Sequence, residues 1–223
     1  MQLGFKDALY VSATLLHRSL DGELVLTSTL YEAMLSTEGL SERRTQQTLM
    51  DEAVERAAPL RWTLGGWKNP WTLRRRSLLV IGFDPEKQPL QLPGIKRHAA
   101  ALQRPETLLF DTGSRTEYGP VTDEIQAGRP VKAELQRLDF DVAGLTTLGS
   151  SFVADGNVIV STRNYRRLFP HLDPAMMDAG VVKLKPGSDV EAAQARLRLI
   201  LPPDTQVLTK AEFIQLETDF WAR

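Results

Sequence analysis

Residues 181–220, VVKLKPGSDVEAAQARLRLILPPDTQVLTKAEFIQLETDF, carry the clearest secondary-structure pattern in the chain. The first five residues of this stretch alternate apolar and polar side chains, as a strand with one buried face does. An apolar stripe at helical spacing follows, and Pro202-Pro203 ends it. Residues 206–208 predict a second short strand, and another apolar stripe predicts a final helix. The order β-α-β-α favours an α+β domain.

Both helices of this stretch begin with the pattern of a capping box. Ser188 precedes Glu191 by three residues, and Thr209 precedes Glu212 by the same spacing. In a capping box each of the two side chains accepts a hydrogen bond from the backbone N–H of the other residue. We therefore expect Ser188 and Thr209 to cap the two helices.

The N-terminal part shows a similar alternation of elements. The apolar spacing predicts a helix at 2–19, a strand at 23–29 and a polar helix at 41–51. A hairpin follows from 60 to 83, with Gly65-Gly66 expected as its turn and 77–83 as a buried strand.

The middle of the chain begins with a segment rich in proline. Four prolines between 85 and 105 indicate a crossing into another subdomain. Beyond them we predict short strands at 107–110, 131–135, 140–145 and 157–160, with helices at 98–103 and 164–169. The expected organisation is a first part at 1–86, an inserted part at 87–177 and a return at 178–223.

Composition excludes several classes of function. The chain has 27 basic and 28 acidic residues, so it lacks the positive excess that nucleic-acid binding needs. It has no cysteine, which excludes disulfides, thiol catalysis and cysteine metal sites. No apolar run approaches the roughly 20 residues of a membrane-spanning helix.

The two ends of the chain both carry amphipathic helical patterns: the first begins at the chain start without a cap, and the last ends without a stop signal. The last helix reaches Trp221 and Arg223 with no glycine, asparagine or proline behind it. This suggests a segment of a longer protein whose helices continue, and an aromatic ring beside a cation suits a membrane interface. Simple fraying of chain ends is the alternative.

One short motif matches the signature of aspartic proteases, LLFDTGS at 108–114. That chemistry needs two aspartates that share one proton, and the chain holds a single copy. The alternative is a strand that ends in a turn, where Asp111 and Ser114 accept backbone N–H bonds and Gly113 takes positive φ. The three histidines, His17, His98 and His171, are widely spaced, so we expect no metal site, no cofactor and no catalytic residue.

Aromatic residues are the remaining candidates for a functional site. Trp62 lies in a predicted strand and suits the core, whereas Trp67 and Trp71 lie in the predicted turn region around Gly65-Gly66 and Asn69-Pro70. Phe152 lies in a glycine-rich loop. Indole and phenyl rings in loops either cover a core or anchor a partner. We name Trp67, Trp71 and Phe152 as candidate partner or cargo contacts.

Several stretches, in order along nearly the whole chain, resemble the DevC family of ABC exporter permeases from cyanobacteria, a branch of the MacB-like superfamily. They are QLGFKDAL (2–9), SATLLH (12–17), LLVIGFDP (78–85), GLTTLGSSFVADG (144–156), LFP (168–170), LKPG (184–187) and LTKAEFI (208–214). The LKPG element before a helix is shared more widely among MacB-like permeases.

The resemblance implies a periplasmic domain of an inner-membrane protein, inserted between the first two transmembrane helices. It implies a porter-like subdomain made from both chain ends (1–86 and 178–223) and an inserted Sabre-like α/β subdomain (87–177). The domain would transmit motion driven by ATP hydrolysis and would not itself be an enzyme. The implied partners are a HlyD-type (DevB-like) membrane fusion adaptor, a DevA-like ATPase, a TolC-like outer-membrane channel and a second permease copy. Glycolipid is the implied cargo class.

Two other functions remain open from the residues alone. One is an aspartic protease built on Asp111, and the other is a standalone lipid-binding protein, which would need a deep apolar pocket.

Overall fold

The structure is a computed structural model that describes residues 14–222. The helices in this range are α1 (Leu15–Arg18), α2 (Arg43–Thr48), α3 (Ile95–Leu102), α4 (Val121–Gln126), α5 (Thr162–Leu168), α6 (Val190–Ile200) and α7 (Lys210–Trp221). The strands are β1 (Leu24–Ser28), β2 (Leu40–Ser41), β3 (Val54–Lys68), β4 (Arg75–Phe83), β5 (Thr107–Asp111), β6 (Lys132–Leu135), β7 (Leu138–Thr146), β8 (Asn157–Ser161), β9 (Met176–Met177), β10 (Ala179–Leu184) and β11 (Thr205–Thr209). Most of the helix predicted at 2–19 lies outside the described residues.

The chain divides into two compact units. Among the described residues, the first unit holds 14–61, 87–91 and 173–222, and the second holds 62–86 and 92–172. These bounds differ from the predicted 1–86, 87–177 and 178–223: segment 62–86 belongs to the second unit, and segments 87–91 and 173–177 belong to the first. The physical reason is strand pairing: β4 runs parallel to β8, and the end of β3 pairs with β6. The porter-like and Sabre-like identities of the parts stay a prediction.

The first unit is built on an antiparallel sheet in the order β11-β1-β10-β3, of which β3 contributes its N-terminal half. All five residues of β1 are buried, as expected for a central strand. Helices α2 and α6 contact each other and cover β10 and β11. Their shared core includes Leu24, Val182 and Leu197. The chain order β10-α6-β11-α7 confirms the predicted β-α-β-α arrangement.

The capping-box pattern predicts the N-cap residue correctly for α7 but not for α6. At α7 the capping box is present, with Glu212 N donating to Thr209 Oγ1 at 3.1 Å and Thr209 N donating to Glu212 Oε2 at 2.7 Å. At α6 the prediction of Ser188 as the cap is wrong. Asp189 takes that place and accepts from Ala192 N at 3.0 Å, because an aspartate one position nearer the helix competes equally well for the free N–H groups.

The second unit has its strands in the order β3-β4-β8-β5-β7-β6, with β3 contributing its C-terminal half. Pairing of Trp67 with Leu135 brings β6 back to β3 and closes this order into a ring. The core inside is aromatic and aliphatic, with Phe110 and Phe140 fully buried. Helices α3, α4 and α5 contact these strands, and Val121 of α4 and Tyr165 of α5 belong to the same core.

The predicted hairpin turn at Gly65-Gly66 is wrong. Both glycines lie inside the continuous strand β3, and the reversal falls at 69–74. A Cβ at Gly65 would lie 2.7 Å from Cγ2 of Val80, so glycine here allows close packing of neighbouring strands. A Gly-Gly pair in the sequence therefore fits either a turn or the interior of a strand, and only the neighbouring strand shows which of the two is present.

Candidate docking surface

Three loops meet at one end of the second unit because of the strand directions. Strand β8 runs parallel to β4 and antiparallel to β5, and β5 runs parallel to β7. The starts of β4 and β8 and the ends of β3, β5 and β7 therefore lie at the same edge. The loops at this edge are 69–74, 112–120 and 147–156.

Asp111, at the end of β5, fixes two of these loops. Its Oδ1 accepts hydrogen bonds from Gly113 N at 3.0 Å and Leu148 N at 2.8 Å. Its Oδ2 accepts from Gly149 N at 2.9 Å and from the side-chain amide of Asn157 at 2.6 Å. The carboxylate is fully buried, and four donors share its two oxygens. Such a site satisfies a buried charge through hydrogen bonds.

This geometry supports the turn interpretation of the DTGS motif. Ser114 also behaves as expected, because its Oγ accepts from Asn157 N at 3.2 Å. The expected positive φ at Gly113 is wrong: among the described glycines it falls at other positions, including Gly149. Gly113 is instead needed for space, since a Cβ there would lie 2.5 Å from Cα of Gly149. With all its lone pairs directed at structural donors, Asp111 is placed to hold loops together.

A short 3-10 segment, Thr116–Tyr118, connects the other loops. The Tyr118 hydroxyl donates to Ser77 O at 2.6 Å, and burial raises its pKa to about 12. A Cβ at Gly119 would lie 2.5 Å from the Trp71 ring, and one at Gly156 would lie 2.7 Å from the Tyr118 ring. The segment therefore packs between the Trp71 loop and the base of the 147–156 loop.

Trp67 does not take the exposed position that was predicted for it. It is fully buried in β3, 5.4 Å from Phe110 between ring centroids, and its Nε1 donates to Tyr118 O at 3.1 Å. The reason is the misplaced turn: a residue in a strand interior points into the core. Trp67 was named as a contact residue because a turn position would expose it, and its burial removes that reason. The hydrogen bond from its Nε1 to Tyr118 O instead supports the 3-10 segment.

Trp71 lies in the reversal at 69–74, as predicted, and is 45% exposed. Asn69 shapes this reversal, because its Oδ1 accepts from the backbone N–H of Trp71 at 2.9 Å and of Thr72 at 3.0 Å. Two residues further, Leu73 is 65% exposed and has φ +59°, an uncommon conformation for a leucine. Leu73 is not among the predicted contact residues, although the Asn69-Pro70 turn signal beside an apolar residue could have indicated it.

Phe152 lies in the loop 147–156, as predicted, and is 57% exposed. Ser151 N donates to Ala154 O at 2.8 Å, and Ala154 N donates to Ser151 Oγ at 3.1 Å. This tight turn presents the ring at the tip of a loop whose base Asp111 holds. We call the set Trp71, Leu73 and Phe152 the loop surface. Its role as a contact surface stays a prediction.

Three consecutive arginines begin at the end of the reversal at 69–74, whereas Glu117 of the adjacent 3-10 segment is an exposed acidic residue. Arg74, Arg75 and Arg76 are all exposed. Glu134 pairs with Arg75 and, at 3.3 Å, with Lys68. In the described part of the chain, Arg74 and Arg76 have no carboxylate partner. Apolar side chains beside unpaired guanidinium groups favour a partner that is both apolar and acidic.

Two clefts elsewhere in the structure are lined by charged side chains. A cleft of about 420 Å³ in the first unit is lined by Asp21, Glu23, Lys183 and Lys210, and one of about 200 Å³ in the second unit by Lys68 and Glu134. Neither is the deep apolar pocket of a lipid-binding protein. Within residues 14–222 no group of three acidic or histidine side chains could hold a metal ion. No helix in that range is long and apolar enough to cross a bilayer.

Solved structures share this fold. The periplasmic region of MacB from Actinobacillus actinomycetemcomitans superposes with a TM-score of 0.61 at 11% identity, covering 89% of this chain and 94% of that one. The extracellular domain of the noncanonic ABC-type transporter YknZ from Gram-positive bacteria superposes with a TM-score of 0.55 at 8% identity, covering 83% and 99%. No protein-family model and no curated protein matches the sequence. The predicted MacB-like α+β fold is confirmed.

Proposed function

We propose that this chain is the extracytoplasmic domain of an ABC-type exporter permease and that its loop surface docks a HlyD-type membrane fusion adaptor. The observation that carries the proposal is the fold likeness over nearly the full length of two transporter domains. The resemblance of seven sequence stretches to DevC-type permeases supports the same assignment independently of the coordinates.

The finer parts of the proposal follow from that family. The permease works with a DevA-like ATPase on the cytoplasmic side, a DevB-like adaptor, a TolC-like outer channel and a second copy of itself. This domain lies in the periplasm, and the permease exports a cargo of the glycolipid class. In this scheme the domain performs no bond chemistry, and its task is to transmit motion to the adaptor.

The loop surface suits the docking role because it combines exposure with rigid support. Two of its exposed side chains are connected to buried residues: Phe152 lies in the loop that Asp111 holds, and Trp71 packs against Gly119, next to buried Tyr118. Large apolar side chains on a preorganised frame lose little conformational entropy on binding, which is how binding hot spots gain affinity.

The experiment is a binding titration of the 223-residue chain against the HlyD-type adaptor encoded beside the permease, immobilised as an oligomer. Trp71→Ala and Phe152→Ala should each weaken binding by about tenfold or more. Leu64→Ala is the matched control, because Leu64 is an exposed apolar residue of the same unit in the middle of β3. Saturable binding that is indifferent to both loop variants would remove the loop surface from the interface. Absence of binding at high micromolar concentration would contradict adaptor docking itself.

A further inference from the structure

The larger of the two clefts, about 420 Å³ in volume, lies in the first unit. It is lined by residues of the turn after α1 and by the first residues of α7. The apolar side chains of Leu20, Val190 and Ala211 stand beside the charged ones. A volume of this size is typical of small-molecule sites. We call it the Lys210 cleft.

Backbone hydrogen bonds fix the walls of the Lys210 cleft. Asp21 N donates to Pro89 O at 2.8 Å on one side. On the other side, Lys210 N donates to Glu23 O at 3.0 Å and joins the start of α7 to the residue before β1. The walls are therefore preorganised, and a ligand would bind at little cost in conformational entropy of the main chain.

The two carboxylates of the cleft already have partners. Asp21 Oδ2 accepts from Arg56 at 2.5 Å, and its Oδ1 accepts from the side-chain amide of Gln91 at 2.7 Å. Glu23 Oε1 accepts from Lys183 Nζ at 2.8 Å, and its Oε2 accepts from a backbone N–H of β10 at 2.8 Å. Because each oxygen is bonded within the unit, these acids are poor candidates for holding a cationic ligand.

Lys210 differs from the other cations of the cleft. Its Nζ donates to Leu20 O at 2.7 Å, and among residues 14–222 it forms no ion pair. An ammonium group has three N–H donors, and the described residues supply an acceptor for one of them. Burial lowers the pKa of Lys210, although Asp21 and Glu23 act in the opposite direction. An anion beside Nζ would offset that loss of solvation.

The charges around the cleft indicate which anion fits. Three cations, Arg56, Lys183 and Lys210, face two carboxylates, Asp21 and Glu23, which leaves one positive charge in excess. A ligand with a single negative charge matches this excess. A phosphate dianion would bring a second negative charge towards the two carboxylates, and like charges in close contact are costly.

We propose that the Lys210 cleft binds a carboxylate on a short apolar stem, with Lys210 Nζ donating to the carboxylate oxygens. The stem packs on Leu20, Val190 and Ala211. Free short-chain organic acids carry this chemistry, and so does the C-terminal residue of a peptide. The proposal does not rest on adaptor docking, because the loop surface belongs to the other unit.

The test is an NMR titration of the isotope-labelled 223-residue chain, followed through its amide shifts. Hexanoate represents a free organic acid, and N-acetylleucine represents a peptide C-terminus. N-acetylleucinamide is the matched neutral probe, because it has the same stem without the negative charge. We expect saturable shifts at Leu20, Lys210 and Ala211 with a dissociation constant on the order of a millimolar, since ligands this small gain limited affinity.

Substitutions at Lys210 separate loss of charge from loss of fold. Lys210→Met removes the ammonium group and should weaken binding about tenfold or more, the contribution of a charge-assisted hydrogen bond. Lys210→Arg keeps a cation and should retain most of the binding. Lys185→Met is the matched control, because Lys185 is an exposed lysine of the same unit that does not line the cleft. Urea unfolding of each variant checks that the unit is intact.

Saturation by hexanoate alone would assign the site to free organic acids, and saturation by N-acetylleucine alone would assign it to a peptide terminus. Three results would overturn the proposal. They are no saturable shift up to about 50 mM, equal binding of N-acetylleucinamide, and unchanged binding in Lys210→Met. None of them would affect the outcome of the loop-surface titration.

Discussion

The side-chain amide of Asn157 donates to Oδ2 of Asp111 at 2.6 Å and so connects the start of β8 to the end of β5. The same amide also donates to Gly149 O at 2.8 Å. One asparagine thus holds both the buried carboxylate and the loop that the carboxylate binds. A motif that matches a protease signature is, in this fold, the base of the Phe152 loop.

Asp111→Asn should destabilise this loop base. An amide in place of the carboxylate turns one acceptor oxygen into a donor that faces N–H groups, so at least one buried donor loses its partner. We expect the free energy of unfolding to fall by about 2–3 kcal/mol and the amides of Leu148 and Gly149 to exchange faster. Urea denaturation and hydrogen exchange measure the two effects. Asp139→Asn, at an exposed position of the same unit, should change stability by less than about 0.5 kcal/mol. Unchanged exchange in Asp111→Asn would contradict the assignment.

Trp67 and Trp71, on either side of Asn69-Pro70, should lose very different amounts of stability on truncation. Trp67 is buried and donates to Tyr118 O, so Trp67→Ala should lower the free energy of unfolding by about 3–5 kcal/mol. Trp71→Ala removes a half-exposed ring and should cost less than about 1 kcal/mol, consistent with exposed positions. Chemical denaturation of both variants is the measurement. Equal losses would show that Trp71 is part of the core.

Local signals in the sequence predicted the elements well, because their causes lie within a few residues. The alternation at 181–185 and the Thr209 capping box both describe neighbours in the chain, and the structure has both. The bounds of the two units were not predictable in the same way. They depend on β4 pairing with β8, some 80 residues later in the chain, and no local pattern records that pairing.

In the candidate site, too, features with local causes were predicted and features that depend on distant strand pairing were not. Phe152 and Trp71 were identified from loop signals that the structure retains, whereas Trp67 was misplaced because Gly65 serves strand packing. Leu73 was not predicted because the turn was expected at Gly65-Gly66, whereas the reversal falls at 69–74. The loops 69–74 and 147–156 lie at one end of the unit because of the directions of the strands. Those directions are determined only by the assembled sheet.

The helix start at α6 gives a test of the corrected cap. Asp189 accepts the bond from Ala192 N, whereas the pattern had indicated Ser188. Asp189→Ala should therefore cost about 1 kcal/mol of stability, and Ser188→Ala should cost only a few tenths. Thr209→Ala at α7 is the positive control, with an expected loss of about 1 kcal/mol. Thermal or urea unfolding of the three variants ranks them, and a larger loss for Ser188→Ala than for Asp189→Ala would reverse the assignment.

A buried polar cluster connects α7 to the N-terminal part of the first unit. Glu217 is fully buried, and its Oε2 accepts from Met34 N at 2.9 Å and from the Tyr31 hydroxyl at 3.1 Å. Its Oε1 accepts from Trp221 Nε1 at 2.8 Å, and His17 Nε2 lies 3.4 Å from Oε2. Helix α7, α1 and the segment after β1 therefore share one carboxylate.

Glu217→Gln should destabilise the first unit in a pH-dependent manner. Burial opposes ionisation of Glu217, but the hydrogen bonds and the nearby His17 outweigh it and hold the pKa of this carboxyl below its usual value. A lowered pKa in the folded state means that the carboxylate stabilises fully above the unfolded-state pKa of about 4.3 and loses that effect as pH falls through the folded-state pKa. We expect Glu217→Gln to cost about 3 kcal/mol or more at pH 7. The gap to wild type should narrow below about pH 4, as the wild-type carboxyl takes up its proton. Urea denaturation across this pH range measures it, with the exposed Asp219→Asn as control. A gap that is the same at both ends of the range would show that charge on Glu217 contributes nothing to holding α7.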